Sequence, residues 1–158
     1  MSREVIPPTV EDLKELGIEI PLEGKVVLDI FTEWCGPCKQ IGPILHRLQD
    51  EGEISLAQQD LDKNEELGSK HNITAIPTLI FFKDGQRIGS IESDPIKIPL
   101  NEFFSKATGG QKCSLLKDGN VIEDLSEYEV HIAQHLVKDG VMVGFPGEEM
   151  LVKIIQEM

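Results

Sequence analysis

The hexapeptide Trp34-Cys35-Gly36-Pro37-Cys38-Lys39 constrains this chain more than any other stretch. Two sulfurs separated by two residues form a reversible dithiol/disulfide pair when the backbone holds both on one turn. The residues that follow supply that turn. Ile41, Ile44, Leu45 and Leu48 recur at helical spacing, which predicts a helix from Cys35 to about Glu51. Pro37 falls in its first turn, where a missing N–H costs nothing and the fixed φ suits the helix. Pro43 falls in its interior, where a kink is expected. Cys35, at the helix start, meets unpaired backbone N–H groups and the positive end of the dipole, so its thiolate is favoured. Gly36 leaves that sulfur open to an incoming disulfide. Half a zinc site and two inert core thiols are the competing readings. A structural zinc needs two more ligands at suitable spacing, and no second Cys-X-X-Cys or Cys-X-X-His exists.

The surrounding chain alternates strands and helices. Val5-Ile6 reads as a short opening strand stopped by Pro7-Pro8, and Thr9 as the cap of a helix from Val10 to Leu16. Lys25 to Phe31 is a nearly continuous apolar run, as a strand buried on both faces should be. Its one acid, Asp29, breaks that pattern. Ile54 to Leu61 reads as a strand and Asn64 to His71 as a helix. Ile80 and Phe82 enter a hairpin at Lys83-Asp84-Gly85 that returns as Gln86 to Glu92, and a helix follows from about Ile98 to Lys106. Interleaved elements of this kind give an α/β fold, a mixed central sheet with helices on both faces.

At these residues the chain resembles the thioredoxin family, over about Val26 to Phe104 and almost without gaps. Beside the hexapeptide, Asp29 falls where the family carries a buried acid, and Ala75-Ile76-Pro77-Thr78 matches its cis-proline loop. Phe81-Phe82-Lys83-Asp84-Gly85 matches its next strand and turn. The resemblance implies the thioredoxin fold and reduction of protein disulfides, with Cys35 attacking and Cys38 resolving. Cys35 is expected to be the more exposed of the two. Asp29 would exchange a proton with Cys38, the alternative being a strand-end acid paired with Lys25 or Lys83. The family often keeps a lysine near this acid, whereas the matching position here is Gln58. Trp34, Gly36, Pro37, Ile76 and Pro77 would contact the substrate, Pro77 in the cis form. Ser93 takes the place of a family glycine in that groove, adding a side chain to it. No cofactor is implied beyond the Cys35–Cys38 disulfide. The partners implied are disulfide-containing proteins and a thioredoxin reductase or other dithiol donor.

The last third is harder to divide. Thr108-Gly109-Gly110 reads as a joint, giving a thioredoxin-like domain over 1–107 and a C-terminal α/β extension over 108–158. In the extension, strands are expected at Cys113 to Leu116, Val121-Ile122 and Val141 to Val143, and helices at Ser126 to Val137 and Glu148 to Met158. The alternative makes 93–140 an insertion. Lys83-Asp84-Gly85 is followed by Gly89, and Lys138-Asp139-Gly140 by Gly144, at identical spacing, so Gly144 competes with Ser93 for the glycine position. The ungapped division is simpler and is the one expected. The extension would pack on the core or on a second copy of the chain, as a homodimer. Cys113 reads as a buried core thiol, against a regulatory or dimer-forming one. His131 and His135, four apart on the expected helix, read as a solvated face rather than zinc ligands.

Composition bounds the rest. The 158 residues carry a formal net charge of −13, which argues against nucleic acid and anionic membranes as partners. No apolar run approaches a membrane span of about 18 residues. Met1 to Thr9 lacks the apolar core of a secretory signal. Three cysteines, two of them in the one motif, fit a reducing cytoplasm rather than a disulfide-stapled scaffold. A non-catalytic assembly module that docks through its extension is the competing function, but such a module has no need of both sulfurs.

Overall fold

A computed structural model describes residues 4–109, 111 and 114–158. In chain order the elements are α1 (Val10–Glu15), β1 (Lys25–Phe31), α2 (Gly36–Asp50), β2 (Ser55–Asp60), α3 (Glu65–His71), β3 (Thr78–Lys83), β4 (Gln86–Arg87), β5 (Ile91–Glu92), β6 (Ile96–Pro99) and α4 (Leu100–Ala107). Then come β7 (Leu115–Lys117), β8 (Asn120–Ile122), β9 (Glu129–Ile132), β10 (His135–Val137), β11 (Val141–Val143) and α5 (Glu148–Glu157). The central sheet runs β11-β3-β1-β2, with β4 also on β3. β1 and β2 are parallel, while β3 is antiparallel to both β1 and β11. The sheet is therefore mixed, as expected.

Alternation along two strands sorts the core into two layers. Val27, Leu79 and Phe81 face Ile41, Leu45 and Leu48 of α2 together with Leu151, Ile154 and Ile155 of α5. Val26, Leu28, Ile30, Ile80 and Phe82 face Leu13 of α1 and Leu67 of α3. Both faces of β1 are covered, which is why its sequence is apolar almost throughout. The period of two puts Asp29 on the α2 side.

The chain divides into two compact units, one made of 1–91 with 136–158 and the other of 92–135. The division expected at 107/108 does not match it. Val137, Met142, Leu151, Ile154 and Ile155 are buried in the α2 layer, so the C-terminal strand and helix belong to the main core. The Nζ of Lys25 donates to the Ile155 carbonyl at 2.8 Å and that of Lys83 to the Met158 carbonyl at 3.0 Å, capping the C-terminal end of α5. The chain leaves this unit at Ile91 and returns at Leu136, on β5 and β10, which pair with each other. All three Lys-Asp-Gly stretches are tight turns: Asp84, Asp118 and Asp139 have φ near +50° and the following glycines near +80°. Positive φ at both central residues is what a type I′ hairpin turn demands. The third of these turns is close-packed, since a Cβ on Gly140 would lie 2.1 Å from Arg87 Cγ.

Within 92–135, β6 pairs with β9 and β7 with β8. The helix expected from Ser126 to Val137 is instead β9 and β10. Glu129, Val130, His131 and Ile132 alternate in exposure, and β-branched residues at period two suit the ladder with β6 better than a helix. His131 and His135 therefore sit on separate strands, with side chains beside Glu129 at 3.4 Å and Glu92 at 3.6 Å. The helix expected from Ile98 starts at Leu100, because Ile96–Pro99 is taken by β6. Val5-Ile6 forms no strand; the Ile6 N–H donates to the His71 carbonyl at 2.8 Å. Cys113 lies outside the described residues.

Candidate functional site

Helix α2 begins immediately after Cys35, which is its N-cap with φ −80° and ψ 116°; Pro37 lies in the first turn. Cys35 and Cys38 are joined as a disulfide, their Cα atoms 5.3 Å apart. The Cys38 N–H donates to Cys35 Sγ at 3.2 Å. That donor and the helix dipole both favour negative charge on the first sulfur once the bond opens. The two cysteines do not differ in exposure as expected: Cys35 is 4% exposed and Cys38 7%. Both are folded under the turn, so position on the helix, rather than accessibility, distinguishes them. Gly36 and Pro37 are exposed, and a Cβ at Gly36 would meet nothing within 4 Å. The space beside Gly36 is open.

Two loops carry the other residues expected to meet a substrate. Trp34 is 71% exposed, and its Nε1–H donates to Asp62 Oδ2 at 2.9 Å, so the ring is tethered while its faces stay in solvent. The Ile76–Pro77 peptide is cis, as expected. Thr78 Oγ donates to the Ala75 carbonyl at 2.6 Å across this loop. The Pro77 carbonyl accepts from the Gly144 N–H at 2.8 Å. Gly144, with φ +91°, therefore fills the position beside the proline that the ungapped register assigned to Ser93. Ser93 is instead paired with Gln134, donating its N–H to the Gln134 carbonyl at 2.8 Å and accepting the Gln134 N–H on Oγ at 3.0 Å. The ungapped register failed here because it closed the fold within the segment 92–135 instead of after it.

Beneath the pair, Asp29 is 1% exposed. Its Oδ2 accepts from Gln58 Nε2 at 3.2 Å, across the β1–β2 pair Asp29↔Gln58. Among the described residues nothing donates to Oδ1. Lys25 and Lys83 cap α5, so the strand-end ion pair is not formed. Burial pushes the Asp29 carboxyl above the ordinary range; the Gln58 amide and the charge of His46 pull part of the way back. Asp29, Cys38, His46 and Gln58 line one cavity of about 310 Å³, with Thr32, Glu33, Lys39, Gly42 and Pro43 among its other walls. It connects the acid to the resolving sulfur and to solvent.

Of the residues expected at the site, the structure bonds Cys35 to Cys38, sets Cys38 and Asp29 on one cavity, exposes Trp34, Gly36 and Pro37, and makes the Ile76–Pro77 peptide cis. Sequence reasoning did not name Asp62 or His46, and ranked Gly144 second. The repeated Lys-Asp-Gly-to-Gly spacing was the signal for Gly144; nothing in the sequence marked Asp62 or His46.

Comparison with known proteins agrees with this geometry. The thioredoxin of Mycoplasmoides gallisepticum is 42% identical over 88 residues, which cover 52% of this chain and 88% of that protein. The thioredoxin of Bacillus subtilis is 36% identical, over 53% of this chain and 83% of the relative. That of Staphylococcus aureus is 38% identical, over 52% and 82%. The sequence model of the family Thioredoxin matches residues 14–106 and ends before β11 and α5. A Cys-X-X-Cys pair at disulfide distance, in a chain so related, makes this protein a thiol–disulfide oxidoreductase. With more than half of its residues matched, the chain belongs to the thioredoxin family.

Proposed function

We propose that this protein reduces disulfides in target proteins, with Cys35 as nucleophile and Cys38 as resolving thiol, in a reducing, cytoplasmic compartment. The observation that carries the reading is the N-cap placement of Cys35, with the Cys38 N–H on its sulfur. The Cys35 thiolate attacks a target disulfide, forming a Cys35–target bond and releasing one target thiolate. Cys38 loses its proton to Asp29 and attacks Cys35 Sγ. The Cys35–Cys38 bond forms, the Cys35–target bond breaks, and the second target sulfur leaves as a thiolate. A dithiol donor, a thioredoxin reductase or its equivalent, then returns two electrons. Trp34, Gly36, Pro37, Ile76 and Pro77 form the rim on which an extended target segment lies, with Gly144 beside Pro77. The absence of a side chain at Gly144 keeps that rim open. Reduction of insulin with dithiothreitol tests the reading: the protein is expected to accelerate precipitation well above dithiothreitol alone, and no acceleration would refute it.

Asp29 makes a second test. Its native pKa is raised, so the native state holds a proton that the unfolded chain releases. Stability is therefore lost as pH rises through the window between the unfolded and native values, and is unaffected below it. Asp29→Asn is expected to stabilise the protein at neutral pH by on the order of 1–3 kcal/mol, with the gain vanishing in acid. Turnover should fall at the same time, because the acceptor for the Cys38 proton is gone. Urea titrations at pH 4 and pH 7.5 check the sign, and an equal effect at both would contradict it.

A further inference from the structure

Three residues run down one side of α2 at intervals of four: Cys38, Gly42 and His46. All three line the cavity above Asp29. Gly42 carries no side chain, and a Cβ there would meet nothing within 4 Å, so the trench stays open between sulfur and imidazole. From Cys38 to His46 it extends about 12 Å along the helix axis, with Asp29 and Gln58 contributed by the sheet. The cavity has room for several waters. The Asp29 carboxyl is unpartnered on Oδ1 and half-satisfied on Oδ2 by a neutral amide. Of the charges across the cavity, that of His46 favours its ionised form.

The charged groups around the cavity are few. β1 contributes Asp29 itself, the loop after it Glu33, and α2 Lys39 and His46; β2 contributes only the neutral Gln58. Arg47, next along the helix, is engaged by Glu148 and Glu51. Of these side chains, an imidazole is the kind that ordinarily changes charge near neutral pH.

We propose that His46 is a positioning residue for the proton step, its imidazolium holding Asp29 as the carboxylate that accepts the Cys38 proton. This rests on the dithiol reading given above. When Cys38 gives its proton to Asp29 and closes on Cys35, the Asp29 acid form returns that proton to cavity water. The imidazolium favours this return and restores the base. The balance is one proton from Cys38 to Asp29 to solvent, with no added oxidant or reductant. The arrangement extends the working range of the Asp29 base toward acid pH, where a buried carboxyl alone would stay protonated.

The test uses the full chain and the variants His46→Gln and His46→Lys. Insulin reduction is followed from pH 5.5 to 8.5, and the Asp29 carboxyl is titrated by carbon NMR in the oxidised protein. His46→Gln is expected to lose roughly two- to fivefold in rate near pH 6 and to match wild type near pH 8.5, the size expected of one charge across a wet cavity. Its Asp29 midpoint should move to higher pH. His46→Lys, charged throughout, should restore both the acid limb and the midpoint. Superposed profiles and midpoints for wild type and His46→Gln would overturn the proposal. So would a loss uniform across pH, or His46→Lys behaving as His46→Gln. A wild-type chain with no insulin reduction at any pH would instead refute the dithiol reading, while the NMR midpoints would still test His46.

Discussion

Cys35→Ser is expected to abolish disulfide reduction, by on the order of a thousandfold or more, whereas Cys38→Ser leaves a protein that reacts once and stops. The asymmetry follows from the helix. Cys35 is the N-cap, with its sulfur receiving the Cys38 N–H at 3.2 Å; Cys38 sits a turn further in, against the cavity that holds Asp29. A thiolate at the first position is stabilised by the dipole and the donated hydrogen bond together, so it starts the exchange. Without Cys38 nothing displaces the target, and a mixed disulfide accumulates on Cys35. Mass spectrometry of Cys38→Ser incubated with insulin should find that adduct. In the reduced wild type, Cys35 should alkylate faster than Cys38 at neutral pH. The reverse order would invert the roles, since accessibility, at 4% and 7%, gives neither sulfur an advantage.

A chain ending at Ala107 is expected not to fold. It would lack Val137, Met142, Leu151, Ile154 and Ile155, five buried side chains of the layer under α2. At about 1.5–3 kcal/mol for each buried side chain, the loss is roughly 8–15 kcal/mol. That equals the whole stability of an ordinary domain, about 5–15 kcal/mol. It would also lose β11 from the edge of β3 and the Gly144 N–H from the Pro77 carbonyl. Circular dichroism in a urea series should find no cooperative transition, where the full chain has one. A sharp transition for 1–107 would return the division of the chain to Thr108.

The site was legible where chemistry is local. The cysteine spacing, the Pro37 turn and an acid breaking an apolar strand carry their reason within a few residues, while the role of Asp29 and the Ala75-Ile76-Pro77-Thr78 loop were legible through the resemblance to the thioredoxin family. Gln58 followed from the position of a family lysine in the same resemblance, and its side chain does meet that of Asp29. The closing elements were not legible in the same way. Gln86 to Lys106 offers a return strand and an amphipathic helix, and so do Val141 to Glu157. Local pattern fits either as the last strand and helix of the fold. What decides is pairing with β3, about 60 residues back in the chain, and the fit of Leu151, Ile154 and Ile155 under the sheet. Neither leaves a mark in a local window. The misread helix at 126–137 has a similar origin. Val130, Ile132 and Val137 are compatible with both periods over so short a run, and the partner β6 breaks the tie. His46 escaped notice because a histidine on an exposed helix position is ordinary until the cavity beside it is known.

The central claim is that 1–91 and 136–158 together form the reducing unit, with 92–135 inserted into it. β5 and β10 pair where the insert leaves and returns, so a two-residue Asn-Gly turn can join Glu92 to His135 in place of 93–134. The most direct measurement is insulin reduction by that shortened protein, beside the full chain. The account predicts a cooperatively folded protein with a rate within about threefold of the parent, as for a loop excised from a completed core. A shortened chain that fails to fold, or that folds and leaves insulin intact, would contradict it.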